Sequence, residues 1–394
     1  MERVSMETRK EIVGRQRKRY AKASKQEKGR IVDSVCQAVG LSRDRAARLL
    51  RQETEGAERK GKRPGRKRKY HEEAVIKLLE KLWAQMDYIC GKRLCAGLPR
   101  MVEALKRYGE LKAPEWAINA VLEMSAATAD RLLKDARRKS ELRGRSTTKP
   151  GTLRKNDIPI RLGAEWEDNK PGYMEMDLVA HCGETTAGDY VNTLDMTDIY
   201  SGWTETVAVI NKAQMHVFAG IKAIRRRLPF TLLGVDSDNG SEFINSHLYR
   251  YCKNEELVFT RSRPYRKNDN CHVEQKNYSV VRKQIGYSRL EGWEAVKMLN
   301  TYYELLRLYS NYFLPSAKLL SKERRGSRVQ KKYDIPITPC ERLLISPDIT
   351  NAQKAALEAQ FMTINPAALK CDMIALQEQI EALALPHARH GPPR

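Results

Sequence analysis

Three acidic residues stand where a charge needs a reason. Asp177 lies midway in YMEMDLVAH, flanked by hydrophobic residues. A carboxylate there is costly unless it faces a site. Asp238 lies in DSDNGSEF, where an apolar run ends, and Glu274 follows the basic and polar stretch RPYRKNDNCHV, with 35 residues between the two. Carboxylates gathered from such places suit hard divalent cations such as Mg2+ or Mn2+, which take oxygen ligands and keep positions open for water and substrate. Two ions roughly 4 Å apart activate an attacking oxygen and stabilise a leaving one, the two needs of chemistry on a phosphodiester. Arg261, Arg263, Arg266 and Lys267 before the glutamate, and Lys276 after it, suit contacts with phosphate.

The elements around these residues must bring them to one edge. From Tyr173 the runs YMEMDLVAHC, DYVNTLDMTD and WTETVAVI, separated by Gly-containing turns, predict an antiparallel meander. A helix over 213–228, a strand TLLGVDSD, a helix in SEFINSHLYRYCKN, a short strand LVFTRS and helices over 268–286 and 290–313 follow. Three strands, helix, strand, helix, strand, helix is the order of an RNase H-like fold. In that sheet the first and fourth strands are neighbours, so Asp177 and Asp238 face one another. Asp236 shares the strand face of Asp238, as residues two apart do. It is either a supporting group or a rival, and the DNG turn favours Asp238. Asp195 and Asp198 read as neighbouring or turn acids.

MDLV with Asp177, SDNGSEF with Asp238 and NDNCHVEQKN with Glu274 resemble the integrase catalytic core shared by retroviral integrases and many bacterial insertion-sequence transposases. The resemblance covers about 165–315. It implies metal ligation by Asp177, Asp238 and Glu274 with two Mg2+ or Mn2+ ions, hydrolysis at element ends, and attack of a 3′-hydroxyl on target DNA. It further implies a homo-oligomeric synaptic complex on double-stranded DNA, and places Gln275, Lys276 and Asn277 near the DNA end. Asn239, His272 and Asn277, with Asp236, are candidates for supporting roles. No His/Cys zinc spacing of the retroviral kind occurs, so the bacterial branch with helix-turn-helix domains is the nearer comparison.

The net charge of +23 is concentrated: residues 1–160 carry 41 Lys and Arg against 21 Asp and Glu, and the remainder 31 against 28. Such asymmetry points to a polyanion bound through the N-terminal region. Within it, Ile31, Val32, Val35 and Val39 form a helical stripe, and Gly40 fits a left-handed stop. Ser42 then caps a helix with Ala46, Leu49 and Leu50 inward and Arg43, Arg45, Arg48 and Arg51 outward. This is a helix-turn-helix pattern. RKGKRPGRKRKY (59–70), with eight basic residues, is an extended linker whose Arg66, Lys67 and Arg68 suit a DNA groove. SAATADRLLKD resembles SRDRAARLLRQ and suggests a second such hairpin, with Ser125 as its cap.

The expected class is thus α+β/α/β. An all-α helix-turn-helix N-terminal region precedes an RNase H-like mixed five-stranded sheet with flanking helices and a small C-terminal segment. The expected boundaries are 1–70 for the DNA-binding domain and linker, 71–145 for the second helical domain, 146–171 for a linker, 172–315 for the catalytic core and 316–394 for a partly helical C-terminal region. The first 24 residues show no clear period. ALKCDMIALQEQIEALAL has heptad-like leucines, suited to a contact with another protomer or to capping its own domain. The eight cysteines form no CxxC pair and read as reduced thiols. No signal-like stretch opens the chain, and no window approaches the ~18 apolar residues of a membrane span. A cytoplasmic, nucleoid-associated location without membrane contact is expected. Two other readings share these features: a DNA-binding regulator with a silent core, and an RNase H-like nuclease that cuts without joining.

Overall fold

The computed structural model describes residues 5–51, 70, 72–140, 169–238, 240, 242–243, 246–261, 271–325 and 328–384. The chain divides into two compact units, 1–69 and 70–394. Of the first unit, three helices are described: α1 (Met6–Lys22), α2 (Lys25–Val39) and α3 (Arg43–Arg51). Helix α2 begins at a capping box in which Ser24 and Glu27 exchange bonds, and stops at Gly40, whose φ of 67° suits a residue without Cβ. Ile31, Val32, Val35 and Val39 are buried against Ala46 and Leu50 of α3, as the stripe predicts. Helix α1 joins the same core through Val13 and Tyr20. So few buried positions in 17 residues explain why no period is visible in the sequence.

The second unit opens with α4 (Glu73–Gln85), α5 (Gly91–Arg107), α6 (Glu115–Leu122), α7 (Ala126–Leu132) and α8 (Lys134–Ser140). Ser125 caps α7 by accepting from Thr128 N. These helices form no compact unit of their own. Leu94, Leu98 and Met101 of α5 share one hydrophobic core with the sheet and with the two helices α13 (Gly292–Phe313) and α16 (Pro366–Leu383). Gly97 makes the approach close, since a Cβ there would lie 2.8 Å from Pro315 Cγ. Tyr309 of α13 donates to Gln85 O at 2.5 Å, and Gln85 Nε2 donates to Pro366 O at 2.6 Å. Sequence pattern alone splits 71–145 from 172–315, but long-range apolar packing draws 70–384 together.

The sheet contains β1 (Tyr173–Ala180), β2 (Asn192–Asp198), β3 (Thr204–Val209), β4 (Gly234–Ser237) and β5 (Val258–Arg261) in the order β3-β2-β1-β4-β5. Pairing is antiparallel for β1/β2 and β2/β3 and parallel for β1/β4 and β4/β5. This is the mixed five-stranded RNase H-like sheet. Residues of β2 and β3 are buried along their whole length, because helices cover both faces. Leu194, Val207 and Val209 lie against Gly220 of α9 (Gln214–Arg227). Strand alternation then turns Glu175, Asp177, Thr193 and Asp195 to the other face. There Thr193 meets Tyr303 of α13, hydroxyl to hydroxyl, at 2.6 Å.

Helix α10 (Ser246–Asn254) borders β5. Beyond β5 come α11 (Cys271–Lys276), a π-helical turn Asn277–Arg282 and the short α12 (Lys283–Ile285). After α13, the region expected to be partly helical holds a two-stranded ribbon, β6 (Leu319–Arg325) and β7 (Arg328–Tyr333), and then α14 (Pro339–Ile345), α15 (Asn351–Thr363) and α16. Helix α16 packs along α13, so its leucine-rich face serves its own unit. No helix among the described residues is long and apolar enough to cross a membrane.

Candidate active site

Strand β1, at the centre of the sheet, carries Asp177. Its parallel register with β4 pairs Glu175 with Asp236 and Met176 with Ser237, and continued by one residue it sets Asp177 beside Asp238. Asp238 sits one residue past the strand, where its Oδ1 accepts from Gly240 N at 2.8 Å and closes an Asx turn. Glu274 projects from α11, which packs on β1 and β2, and its side chain is exposed.

Burial and like charge both act on Asp177. Burial comes first and the neighbouring Asp238 second, with Glu274 adding to them; together they push its carboxyl up to about 7. The Leu178 backbone N–H at 2.8 Å on Oδ1 and the Asn277 amide at 2.6 Å on Oδ2 act the other way. The Asp238 carboxyl is also raised, first by burial, with Glu242 contributing against the Gly240 bond. Asp177 therefore feels the charge of both other acids named from sequence. Among the described residues no three His, Cys, Asp or Glu side chains form a closed ligand group. The donor set nevertheless fits a divalent ion: all three are oxygen donors, and burial with added repulsion from Asp238 and Glu274 lifts the Asp177 carboxyl. The Asn277 carbonyl oxygen beside it is buried without a partner. A cation among them relieves that repulsion and favours the ionised forms.

Around this trio stand acids that sequence reasoning left as neighbours. Asp236 is fully buried and accepts from the Thr260 hydroxyl, so it is committed to the β4/β5 seam while Asp238 emerges at the edge. Asp195 pairs in register with Asp177 and is fully buried, with Oδ2 lacking a partner. Burial drives its carboxyl well up, opposed by Lys276 and reinforced by Asp177. Asp198 is a turn acid: it accepts from Ser201 N at 2.7 Å and from Gly172 N at 2.8 Å.

Glu175 gains a role the sequence did not assign, and Asn277, a candidate for a supporting one, gains a partner. Glu175, two before Asp177 and fully buried, accepts from Val273 N at 3.0 Å with Oε2. It thereby ties the first turn of α11 to the central strand one residue before Glu274. The signal was present as an acid-x-acid pair on one strand face. Asn277 opens the π turn, and that local overwinding accompanies the aim of its amide at Asp177.

Lys276, expected at DNA, is held between the sheet and α5. Burial first, with Arg93 and Arg342 adding to it and Asp195 opposing, lowers its ammonium to about 8. The side chain is half-buried, and Asp195 is the acid that acts on its charge. Gln275 is exposed. Arg261 is 4% exposed at the end of β5. On α3, Arg43, Arg45 and Arg48 are exposed, with Arg43 paired to Asp33. Arg66, Lys67, Arg68, Lys267, Asn239 and the His272 side chain lie outside the described residues.

Residues 167–267 match the family model of the integrase core domain. The uncharacterized protein y4rM of Sinorhizobium fredii is 39% identical over 344 residues, 86% of this chain and 96% of that protein. Among solved structures, the catalytic core domain of BIV integrase covers 43% of this chain and 91% of its own at 17% identity and a TM-score of 0.28. The HTLV-2 integrase core in complex with magnesium, in its dimeric form, covers 37% and 89% at 11% identity and a TM-score of 0.28. With an integrase core matched on the strands that carry Asp177 and Asp238, and a relative matched along nearly its whole length, the chain belongs to the family of y4rM and carries an integrase-type catalytic core.

Proposed function

We propose that this chain is a DNA transposase that binds the ends of a mobile element, hydrolyses DNA there and joins the freed 3′-hydroxyls to target DNA. The observation that carries this reading is the crowding of Asp177 by Asp238 and Glu274 at the edge of an integrase-type sheet. Asp177, Asp238 and Glu274 would hold two Mg2+ or Mn2+ ions, which supply activation of the attacking oxygen and stabilisation of the leaving one.

The chain's own groups set the stage for that chemistry. Leu178 N and the Asn277 amide fix the two oxygens of Asp177, and such orientation of a ligand by its neighbours is what gives a metal site its geometry. Glu175 holds the start of α11, and with it Glu274, against β1. Exposed Arg43, Arg45 and Arg48 on α3 support end binding by the N-terminal unit, and the basic run containing Arg66, Lys67 and Arg68 supports it by charge. Two ends joined in one reaction call for at least two protomers on the DNA, a homo-oligomeric synaptic complex.

Purified protein is incubated with labelled duplexes from the flanks of its own gene and Mg2+ or Mn2+. End cleavage and strand transfer are expected, and Asp177→Asn, Asp238→Asn and Glu274→Gln should each abolish both while sparing end binding. Full activity in those variants refutes the site. Wild-type protein that binds the ends without cutting would point to a regulator, and cutting without joining to a nuclease.

A further inference from the structure

Beyond residue 160 the positive charge is concentrated in one place. Residues 161–318, with the whole sheet, carry 20 Lys and Arg against 20 Asp and Glu, and residues 334–384 carry 3 against 7. The 15 residues between, Leu319–Tyr333, carry 6 against 1. They are the β6–β7 ribbon.

Among its described side chains this ribbon buries none. Leu319, Leu320, Val329, Lys331, Lys332 and Tyr333 are all exposed, although a lone two-stranded ribbon is marginal in water. Its register sets Lys322 opposite Lys331 and Arg325 opposite Arg328. Like charges directly opposite one another weaken a strand pair. The root, in contrast, is clamped. Ser316 and Ile337 form a β-bridge, Lys318 N donates to Asp334 Oδ1 at 2.6 Å, and Arg342 bonds Ser316 O at 2.8 Å and pairs with Asp334 at 2.8 Å. Arg93 of α5 also donates to Pro315 O. A firmly rooted arm that concentrates positive charge at a cost to its own pairing is built for a polyanion.

We propose that β6–β7 is a second DNA-contacting element, independent of the N-terminal unit, whose excess of Lys and Arg neutralises backbone phosphates of duplex DNA. A two-stranded ribbon fits the dimensions of a major groove, and contacts of this kind position a duplex without reading its sequence. The proposal rests on the reading of the chain as a DNA-acting enzyme, and its test does not need catalysis.

Full-length protein and the variant K322Q/R324Q/R328Q/K331Q are titrated with element-end and random duplexes, in EDTA, across 50–200 mM salt. Each phosphate contact contributes about 0.9 to the slope of log affinity against log salt. Four lost contacts should lower the slope by about 3.6, and remove about 100-fold of the affinity change across that range. A second variant, E323Q/Q330K, which adds charge to the same ribbon, should steepen the slope. Unchanged slopes in both variants overturn the proposal, as does an unchanged slope with weakened self-association on sedimentation, which would make the ribbon a protomer contact. Failure of cleavage by the wild-type protein would bear on the catalytic reading alone.

Discussion

In metal-free protein, Asp177→Asn should stabilise the fold while abolishing catalysis. The Asp177 carboxyl is raised from 3.8 to about 7, and at ~1.4 kcal/mol per pH unit this amounts to about 4 kcal/mol. Because the folded state holds the proton more tightly than the unfolded chain, that stability is fully present below pH about 4 and is lost as pH rises through 7. Asparagine carries no charge to lose, so the variant's advantage should be near zero at pH 4 and approach about 4 kcal/mol above pH 8. At ~2 °C per kcal/mol for a unit of this size, this is a gain of about 8 °C in melting temperature. The site accommodates the new amide well: Asn277 can turn its side chain over and present the carbonyl oxygen that now lacks a partner. Thermal melts in EDTA at pH 5 and pH 8 test the difference, and a third melt at pH 8 with Mg2+ should raise wild type but not the variant. A variant no more stable than wild type at pH 8, or equally stabilised at both pH values, refutes the account of the crowded carboxylates.

Two further outcomes follow from buried groups. Glu175→Ala removes the acceptor for Val273 N and should cost about 2 kcal/mol in urea melts, with strand transfer lowered more than DNA binding. Glu175→Gln keeps a carbonyl acceptor and should restore most of both, and equal defects in the two variants would argue against the tie. Arg307 bonds Glu205 through Nε at 3.0 and 2.9 Å, with Trp203 Nε1 at 2.9 Å on the same fully buried carboxylate. Arg307→Ala should therefore cost ~3 kcal/mol or more by leaving that charge underpaired, and a loss below ~1 kcal/mol would mean Arg227, 3.3 Å away, suffices.

Local signals carried the sequence reading furthest. Apolar alternation and Gly-rich turns marked β1 to β3, and the DNG turn marked the end of β4, so Asp177 and Asp238 could be named with their settings. The stripe of Ile31, Val32, Val35 and Val39 marked α2 for the same reason. What stayed hidden depends on partners distant in sequence. Glu175 is one acid among many until Val273 arrives 98 residues later. Lys276 reads as a surface cation until Asp195 and Arg93 enclose it. The ribbon β6–β7 has no apolar alternation to reveal it, because its described side chains are all exposed, and α15 buries only Leu357 and Phe361 in its 13 residues. The separateness of 71–145 was inferred from helical content, whereas the core shared by Leu94, Leu98, Tyr309 and Met373 depends on a fold no window contains.

That shared core bears on when a newly made chain can complete its fold. Helices α4 and α5 come early, yet Gln85 is bonded to Pro366, and Lys370 and Gln377 of α16 bond Asp87 and Gln284. A nascent chain that has emerged only as far as Phe313 already owns every carboxylate of the cutting edge, but its α13 lacks the cover of α16. At 5–20 residues per second, synthesis from Phe313 to Leu383 takes on the order of ten seconds. During that interval the half-made enzyme lacks the last wall of its core. Prematurely ended products should accordingly be cleared as unfolded chains.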